Sequence, residues 1–163
     1  MKKPPAIIVD VDGTLVDVRS TRRHVLGPKK DFDAFHSEAI NCPPIPEVVE
    51  MCIDWHERGH GILVVTARKY RWFTDTENWL IEHLPVPYEG PFMRGDDDNR
   101  PDYEIKREIF GLLANRFEIC HAIDDNPKVI ALWEELGLNV HVVPGWDDAV
   151  SAAYVELANR EGN

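Results

Sequence analysis

No apolar run in this chain comes near the length of a membrane span. The opening, MKKPPAIIVD, sets two lysines before an apolar run that stops after four residues, too short for the core of a secretion signal. Cysteine is scarce. Cys42, Cys52 and Cys120 are odd in number and have no metal-ligand spacing, which argues against a disulfide framework and fits a reducing cytoplasm. Positive charge is short as well: 18 Lys and Arg stand against 29 Asp and Glu, a formal charge of −11. Such a field does not draw in nucleic acid or an anionic membrane, so any anionic substrate has to be held by local positive groups or a metal ion. Repeats and low-complexity segments are missing too.

What is present is a chain of 163 residues, 44% apolar, enough for one domain with a real core. Short apolar runs alternate with helical patterns. AIIV, GILVVTAR, PFMR, EICHAIDD and NVHVV read as strands. PEVVEMCIDWHERG, RWFTDTENWLIEHLP, DYEIKREIFGLLANRF, NPKVIALWEELG and WDDAVSAAYVELANR read as helices. In the third of these Ile105, Ile109, Leu112 and Leu113 are expected to face inward. The alternation predicts an α/β fold, a three-layer Rossmann-like core with a parallel sheet. Residues 17–45, punctuated by Gly27, Pro28, Pro43 and Pro44, are long for a simple connection and read as a small cap-like insertion or lid after the first strand. The expected organisation is a single domain over 1–163.

Three of the apolar runs end in polar groups. Ala6–Val9 gives way to Asp10 and Asp12, Ile62–Val65 to Thr66 and Arg68, and Ile119–Ile123 to Asp124 and Asp125. In open parallel sheets ligands bind outside the carboxyl ends of the strands, so these groups are expected along one edge. Four carboxylates there raise one another's pKa or need a cation, and Mg²⁺ with oxygen ligands suits a site beside phosphate. Lys106 reads as a first-turn helix residue, where the dipole disfavours a cation; a residue set against local preference is a candidate for function.

Read singly, each of these residues has an ordinary reading. Asp10 and Asp12 fit a solvated turn, Thr66 a strand end, Lys106 a surface lysine, and Asp124 a helix cap, a job that Asp125 or Asn126 could share. DVDGTL also departs from a calcium loop, which wants Asp or Asn where Thr14 stands and Gly directly after it. Asp96, Asp97 and Asp98 read as a solvated loop. His36, His56, His60, His83, His121 and His141 read as structural, and Trp72, Trp79 and Trp133 as core.

In order along the chain, DVDGTL at 10–15, VVTAR at 64–68, Lys106 in YEIKREIF and IDDNP at 123–127 resemble the four motifs of the haloacid dehalogenase (HAD) superfamily of phosphohydrolases. FMRGDDDNRPDYEIKREIF, AIDDNPKVIALWEELG and the short insertion look like the 3′-phosphatase domain of bacteriophage-type polynucleotide kinase. The resemblance implies Asp10 as nucleophile forming an aspartyl-phosphate, and Asp12 as the acid that protonates the leaving oxygen and then activates water. It implies Thr66 and Lys106 as phosphoryl-binding groups. Asp124, the Asp10 carboxylate, the Asp12 carbonyl and Asp125 would hold Mg²⁺. Gly13 and Thr14 would shape the loop, and Arg68 and Arg94 would hold phosphate or substrate.

The family's arginine in the insertion aligns with Arg19, Arg22 or Arg23; Arg22 is taken as the candidate. The segment DVRSTRRHVLGPKK carries five basic residues, Arg19, Arg22, Arg23, Lys29 and Lys30, against one acid, and is expected to form a basic rim over the site. A phosphate-binding G-x-x-x-x-G-K-[ST] loop is absent, so a phosphatase without the kinase is expected. The reading is a Mg²⁺-dependent phosphomonoesterase acting on 3′-phosphate ends of DNA or RNA, or on nucleotides. A small-molecule nucleotidase or metabolite phosphatase is the alternative. A phospho-aspartate receiver domain fits less well, because there the lysine comes after the paired acids, whereas Lys106 precedes Asp124.

Overall fold

The computed structural model describes residues 1–26 and 28–145. The helix expected over 146–160 lies outside them. Five strands, β1 (Pro5–Val9), β2 (Gly61–Lys69), β3 (Glu89–Arg94), β4 (Glu118–Asp124) and β5 (Asn139–Val142), form one sheet in the order β3-β2-β1-β4-β5. Every neighbouring pair is parallel. The helices are α1 (Phe32–Ala39), α2 (Pro46–Glu57), α3 (Phe73–His83), α4 (Asp102–Leu113) and α5 (Pro127–Glu135). The expected α/β class is what the chain adopts.

Strand β1 is apolar at four consecutive positions because both of its faces are covered. Ile7 and Val9 pack with Ile62, Val64, Val48, Cys52, Trp79 and Leu80 on the side of α2 and α3. Ala6 and Ile8 pack with Leu63, Val65, Ala122, Leu113, Val129 and Trp133 on the side of α4 and α5. The period of two in β1 therefore feeds two separate cores. Local chemistry marks the helix starts: Pro46 opens α2, the Asp31 carboxylate accepts from Ala34 N at 3.0 Å to cap α1, and Asn126 caps α5. One inward assignment fails. Leu112 is 67% exposed, because α4 is anchored through Ile105 and Leu113 and turns Leu112 to solvent.

The order 3-2-1-4-5 matters for function. Connections leave β1 for β2 on one side, and the chain later returns to the other side as β4. The strand order reverses there, and the crevice beyond the carboxyl ends of β1, β2 and β4 is where such sheets bind ligands. Between β1 and α2 the chain holds a short 3₁₀ turn (Arg22–His24) and α1, and it is tied back to the first loop by a bridge from Val16 to Pro44.

Candidate active site

Register brings the three polar strand ends together. Val9 pairs with Val64 on one side and Ile123 on the other, so Asp10, the Val65–Thr66 peptide and Asp124 follow at the same level. Asp10 N donates to Ile123 O at 3.1 Å, which fixes the chain as it leaves the sheet. It then folds into a tight loop, with Val16 N donating to Val11 O and Gly13 N to Val16 O, both at 2.9 Å. Gly13 sits at φ +78°. A Cβ there would lie 2.0 Å from Asp125 Oδ2, so only glycine leaves room for that carboxylate.

Asp10, Asp124 and Asp125 each present an oxygen within 4.8 Å of the others, the one such acidic group among the described residues. All three are buried. Lys106 donates from Nζ to Asp10 Oδ1 at 2.7 Å and to Asp124 Oδ2 at 2.9 Å, and is itself buried. Helix α4 begins at Asp102, after Pro101, so Lys106 stands in its second turn rather than its first. What holds the lysine is the acid pair, not the helix end. The Thr14 hydroxyl lies 3.0 Å from Asp10 Oδ2 and 3.2 Å from Asp125 Oδ1. Asp124 is held from behind: Trp133 Nε1 donates to Oδ2 at 3.1 Å, and the N–H groups of Asp125 and Asn126 donate to Oδ1. Thr66 is buried beside this group, its Oγ1 accepting from Arg68 N at 3.2 Å and keeping a proton to donate.

Charge explains the cluster. Burial, then the neighbouring Asp124, push the Asp10 carboxyl well above the usual carboxylate range; Lys106 pulls it back only in part. Burial alone would lower the Lys106 ammonium, but Asp10 and Asp124 outweigh it and keep the group charged. Among the described residues, three carboxylates thus face two cations, Lys106 and Arg22. A divalent ion with oxygen ligands answers that imbalance and lets Asp10 ionise, and an all-oxygen donor set suits a hard cation.

Asp12 is turned the other way. Arg68 grips it with two hydrogen bonds, Nε to Oδ2 at 2.9 Å and Nη2 to Oδ1 at 2.6 Å. Arg68 is in turn fixed by Thr76, which accepts from Nη1 at 2.9 Å and hydrogen-bonds Trp72 O. Burial raises the Asp12 carboxyl, yet the Arg68 charge and its hydrogen bonds win and hold it below the ordinary value. From α1, His36 Nδ1 stands 3.9 Å from Asp12 Oδ2.

Of the three arginines in the segment after β1, Arg22 is the one buried against the cluster. Its Nη2 meets Asp125 Oδ2 at 3.1 Å, and its Nη1 donates to Gly145 O. Arg19 pairs with Asp17, and Arg23 with Glu38. Arg94 is not brought into the acidic group. Its guanidinium donates to Ala67 O, Asp98 O and Arg100 O and pairs with Asp102, so it braces the turn before α4. Asp98 pairs with Arg100 and Asp96 accepts from Arg71 N, which keeps that acidic run in a surface loop. Three contributors lie outside the sequence reading: Trp133 as a donor to Asp124, Thr76 as the brace on Arg68, and His36 beside Asp12. Core periodicity hid the tryptophan, and nothing in the local sequence marks the other two.

A family model of the polynucleotide kinase PNKP phosphatase domain matches residues 4–145. In structure the chain is similar to Pnkp1 in a Pnkp1/Rnl/Hen1 complex, at a TM-score of 0.73 and 24% identity over 86% of this chain and 45% of that one. It is also similar to a class C acid phosphatase from Bacillus anthracis with tungstate bound, at 0.63 and 16% identity over 100% of this chain and 80% of that one. CbbY from Rhodobacter sphaeroides, in complex with phosphate, follows at 0.57 and 16% identity over 93% and 88% of the two chains. These likenesses are of fold. The chain spans less than half the length of the Pnkp1 chains it matches.

Proposed function

This chain belongs to the PNKP phosphatase-domain family of HAD phosphatases, and on that premise we propose that it is a Mg²⁺-dependent phosphomonoesterase that removes 3′-phosphate from the ends of DNA or RNA or from nucleotides. The observation that carries the proposal is the convergence of Asp10, Asp124 and Asp125 at the carboxyl edge of β1 and β4, with Lys106 bonded to the first two.

Asp10, Asp124 and Asp125, with the Asp12 carbonyl, would hold the ion, which would offset the charge that the carboxylates and the phosphoryl oxygens bring together. Asp10 attacks phosphorus, the bond to the leaving oxygen breaks, and Asp12 delivers the proton that oxygen needs. Asp12 then takes a proton from water as that water attacks the aspartyl-phosphate, the Asp10–phosphorus bond breaks, and phosphate leaves. Lys106 keeps Asp10 aimed and offsets the phosphoryl charge, while Thr66 and Thr14 supply hydroxyls beside it. For Asp12 to carry a proton, Arg68 has to loosen its grip. The incoming phosphoryl oxygens offer its guanidinium a better-charged partner. Residues 17–45 act as a small cap that brings Arg22 and α1 to the rim.

The test is a Mg²⁺ phosphatase screen across oligonucleotides with 3′-phosphate, 5′-phosphate and 2′,3′-cyclic ends, 3′- and 5′-mononucleotides, and sugar phosphates. Preference for the 3′-phosphate end supports the proposal. Turnover of sugar phosphates alone would replace it with a metabolite phosphatase.

A further inference from the structure

Helix α1 carries a feature that the chemistry above leaves unused. His36 lies between Phe35, at 5.0 Å between ring centroids, and Trp72, at 5.7 Å, and its side chain is only 12% exposed. Its Nδ1 is buried and has no hydrogen-bond partner among the described residues, although it points towards Asp12 Oδ2, 3.9 Å away. That distance is too long for a hydrogen bond. A buried polar atom left without a partner is costly, and one aimed into an active site is a place for a ligand atom. An imidazole nitrogen can donate or accept a hydrogen bond, so Nδ1 can meet a sugar hydroxyl or ring oxygen.

One turn earlier on the same helix stands Phe32. Its ring stacks on His36 at 6.5 Å and 24°, yet the residue is 53% exposed. Large exposed aromatic rings cost free energy in water, and this one is held in place by its neighbour rather than by a core. Helix α1 is pinned to the segment after β2 by the ion pair of Asp33 with Arg71, whose guanidinium lies 6.0 Å from the Trp72 ring. Lys29 and Lys30, both exposed, lead into the helix. A flat apolar face, a hydrogen-bonding atom nearer the acid and positive charge alongside are the complement of a nucleoside on a phosphate chain.

We infer that α1 forms the leaving-nucleoside subsite: His36 Nδ1 hydrogen-bonds the sugar beside the leaving oxygen, and Phe32 stacks on the terminal base. This rests on the polynucleotide 3′-phosphatase reading. It separates two tasks, since the cluster around Asp10 handles phosphorus while the helix over it reads what phosphorus is attached to. Stacking of a base on a single aromatic side chain is worth roughly ten-fold in affinity or more.

The experiment compares kcat/KM on two 3′-phosphorylated oligonucleotides of the same sequence, one with an intact terminal nucleotide and one abasic at that position, with Mg²⁺ present. The wild type should prefer the intact end. Phe32→Ala, a change at an exposed position, should collapse that preference by about ten-fold, chiefly through KM, and Phe32→Tyr should retain it. His36→Phe, which keeps the ring packing, should lower kcat/KM on both ends, and His36→Asn, which restores a polar atom near Nδ1, should recover part of the loss. An unchanged preference in Phe32→Ala would overturn the base subsite. Full activity in His36→Phe, or no recovery in a folded His36→Asn, would overturn the sugar contact. A wild type that ignores both oligonucleotides but turns over sugar phosphates would instead remove the 3′-phosphatase reading, and the subsite with it.

Discussion

Arg68 closes a two-point ion pair on Asp12, with Nε and Nη2 at 2.9 and 2.6 Å from its two carboxylate oxygens. The pair joins the loop after β1 to the end of β2, and Thr76 of α3 locks the guanidinium from behind. The residue assigned to proton transfer is therefore aimed by the residue expected to meet phosphate. Arg68→Lys keeps the charge but loses the fork. Since charge-assisted hydrogen bonds contribute about 1.5–3 kcal/mol, kcat/KM should fall about ten- to hundred-fold. Steady-state kinetics on one substrate measures this. Wild-type kinetics in Arg68→Lys would remove Arg68 from the mechanism.

The same pair predicts how stability responds to acid. Because Arg68 outweighs burial and holds the Asp12 carboxyl below its ordinary value, Asp12 stabilises the fold fully above about pH 4, the unfolded-chain value. That contribution is lost as pH falls through the lower folded-state value. Denaturant unfolding in metal-free buffer should show wild type ahead of Asp12→Asn at pH 6, with the gap closing below about pH 4. A gap that widens on acidification would mean that the ion pair is not what stabilises Asp12.

Binding of Mg²⁺ should raise thermal stability, because among the described residues the three buried carboxylates outnumber the two cations that face them, Lys106 and Arg22. At one hundred times Kd the gain is about 2.7 kcal/mol, visible as an upward shift in Tm. Asp124→Asn and Asp125→Asn should each reduce or abolish that shift. Equal shifts in wild type and both variants would place the ion elsewhere.

Gly13→Ala should damage both fold and activity. The backbone there adopts φ +78°, and the new Cβ would stand 2.0 Å from Asp125 Oδ2 and 2.9 Å from Arg22 Nη2. The backbone strain alone costs on the order of 1–3 kcal/mol, before the displaced carboxylate is counted. Melting curves and turnover should fall together. Full activity would show that Asp125 need not stay where it is.

Much of this was legible in the chain. The apolar quartet 6–9, ended abruptly by Asp10, reads as a strand, and the same pattern of an apolar run ended by polar groups marks Ile62–Val65 and Ile119–Ile123; the fold covers β1 on both faces. Once those strands are parallel, Thr66, Asp124 and Asp125 have to share an edge with Asp10. Contacts that depend on side-chain reach were not legible. Arg94 looks like a substrate arginine by motif, yet its fork closes on Ala67, Asp98, Arg100 and Asp102. Trp133 reads as core by periodicity, and it is core, but its indole N–H also reaches Asp124. His36 reads as structural until α1 is folded over the loop and its ring comes to face Asp12. Periodicity encodes which face is buried; it does not encode what a long side chain finds there.

The central claim is that Asp10 becomes covalently phosphorylated, and rapid quench followed by borohydride reduction tests it directly. The experiment quenches the wild-type protein during turnover, with Mg²⁺ and a saturating 3′-phosphorylated oligonucleotide, because Asp12→Asn would slow formation of the intermediate as well as its breakdown. Peptide mapping should find homoserine in place of aspartate at position 10, and Asp10→Asn should lose turnover on the order of a thousand-fold or more while keeping its fold. An unmodified Asp10 in enzyme caught mid-turnover, or a folded Asp10→Asn protein that still releases phosphate at a substantial rate, would contradict the account.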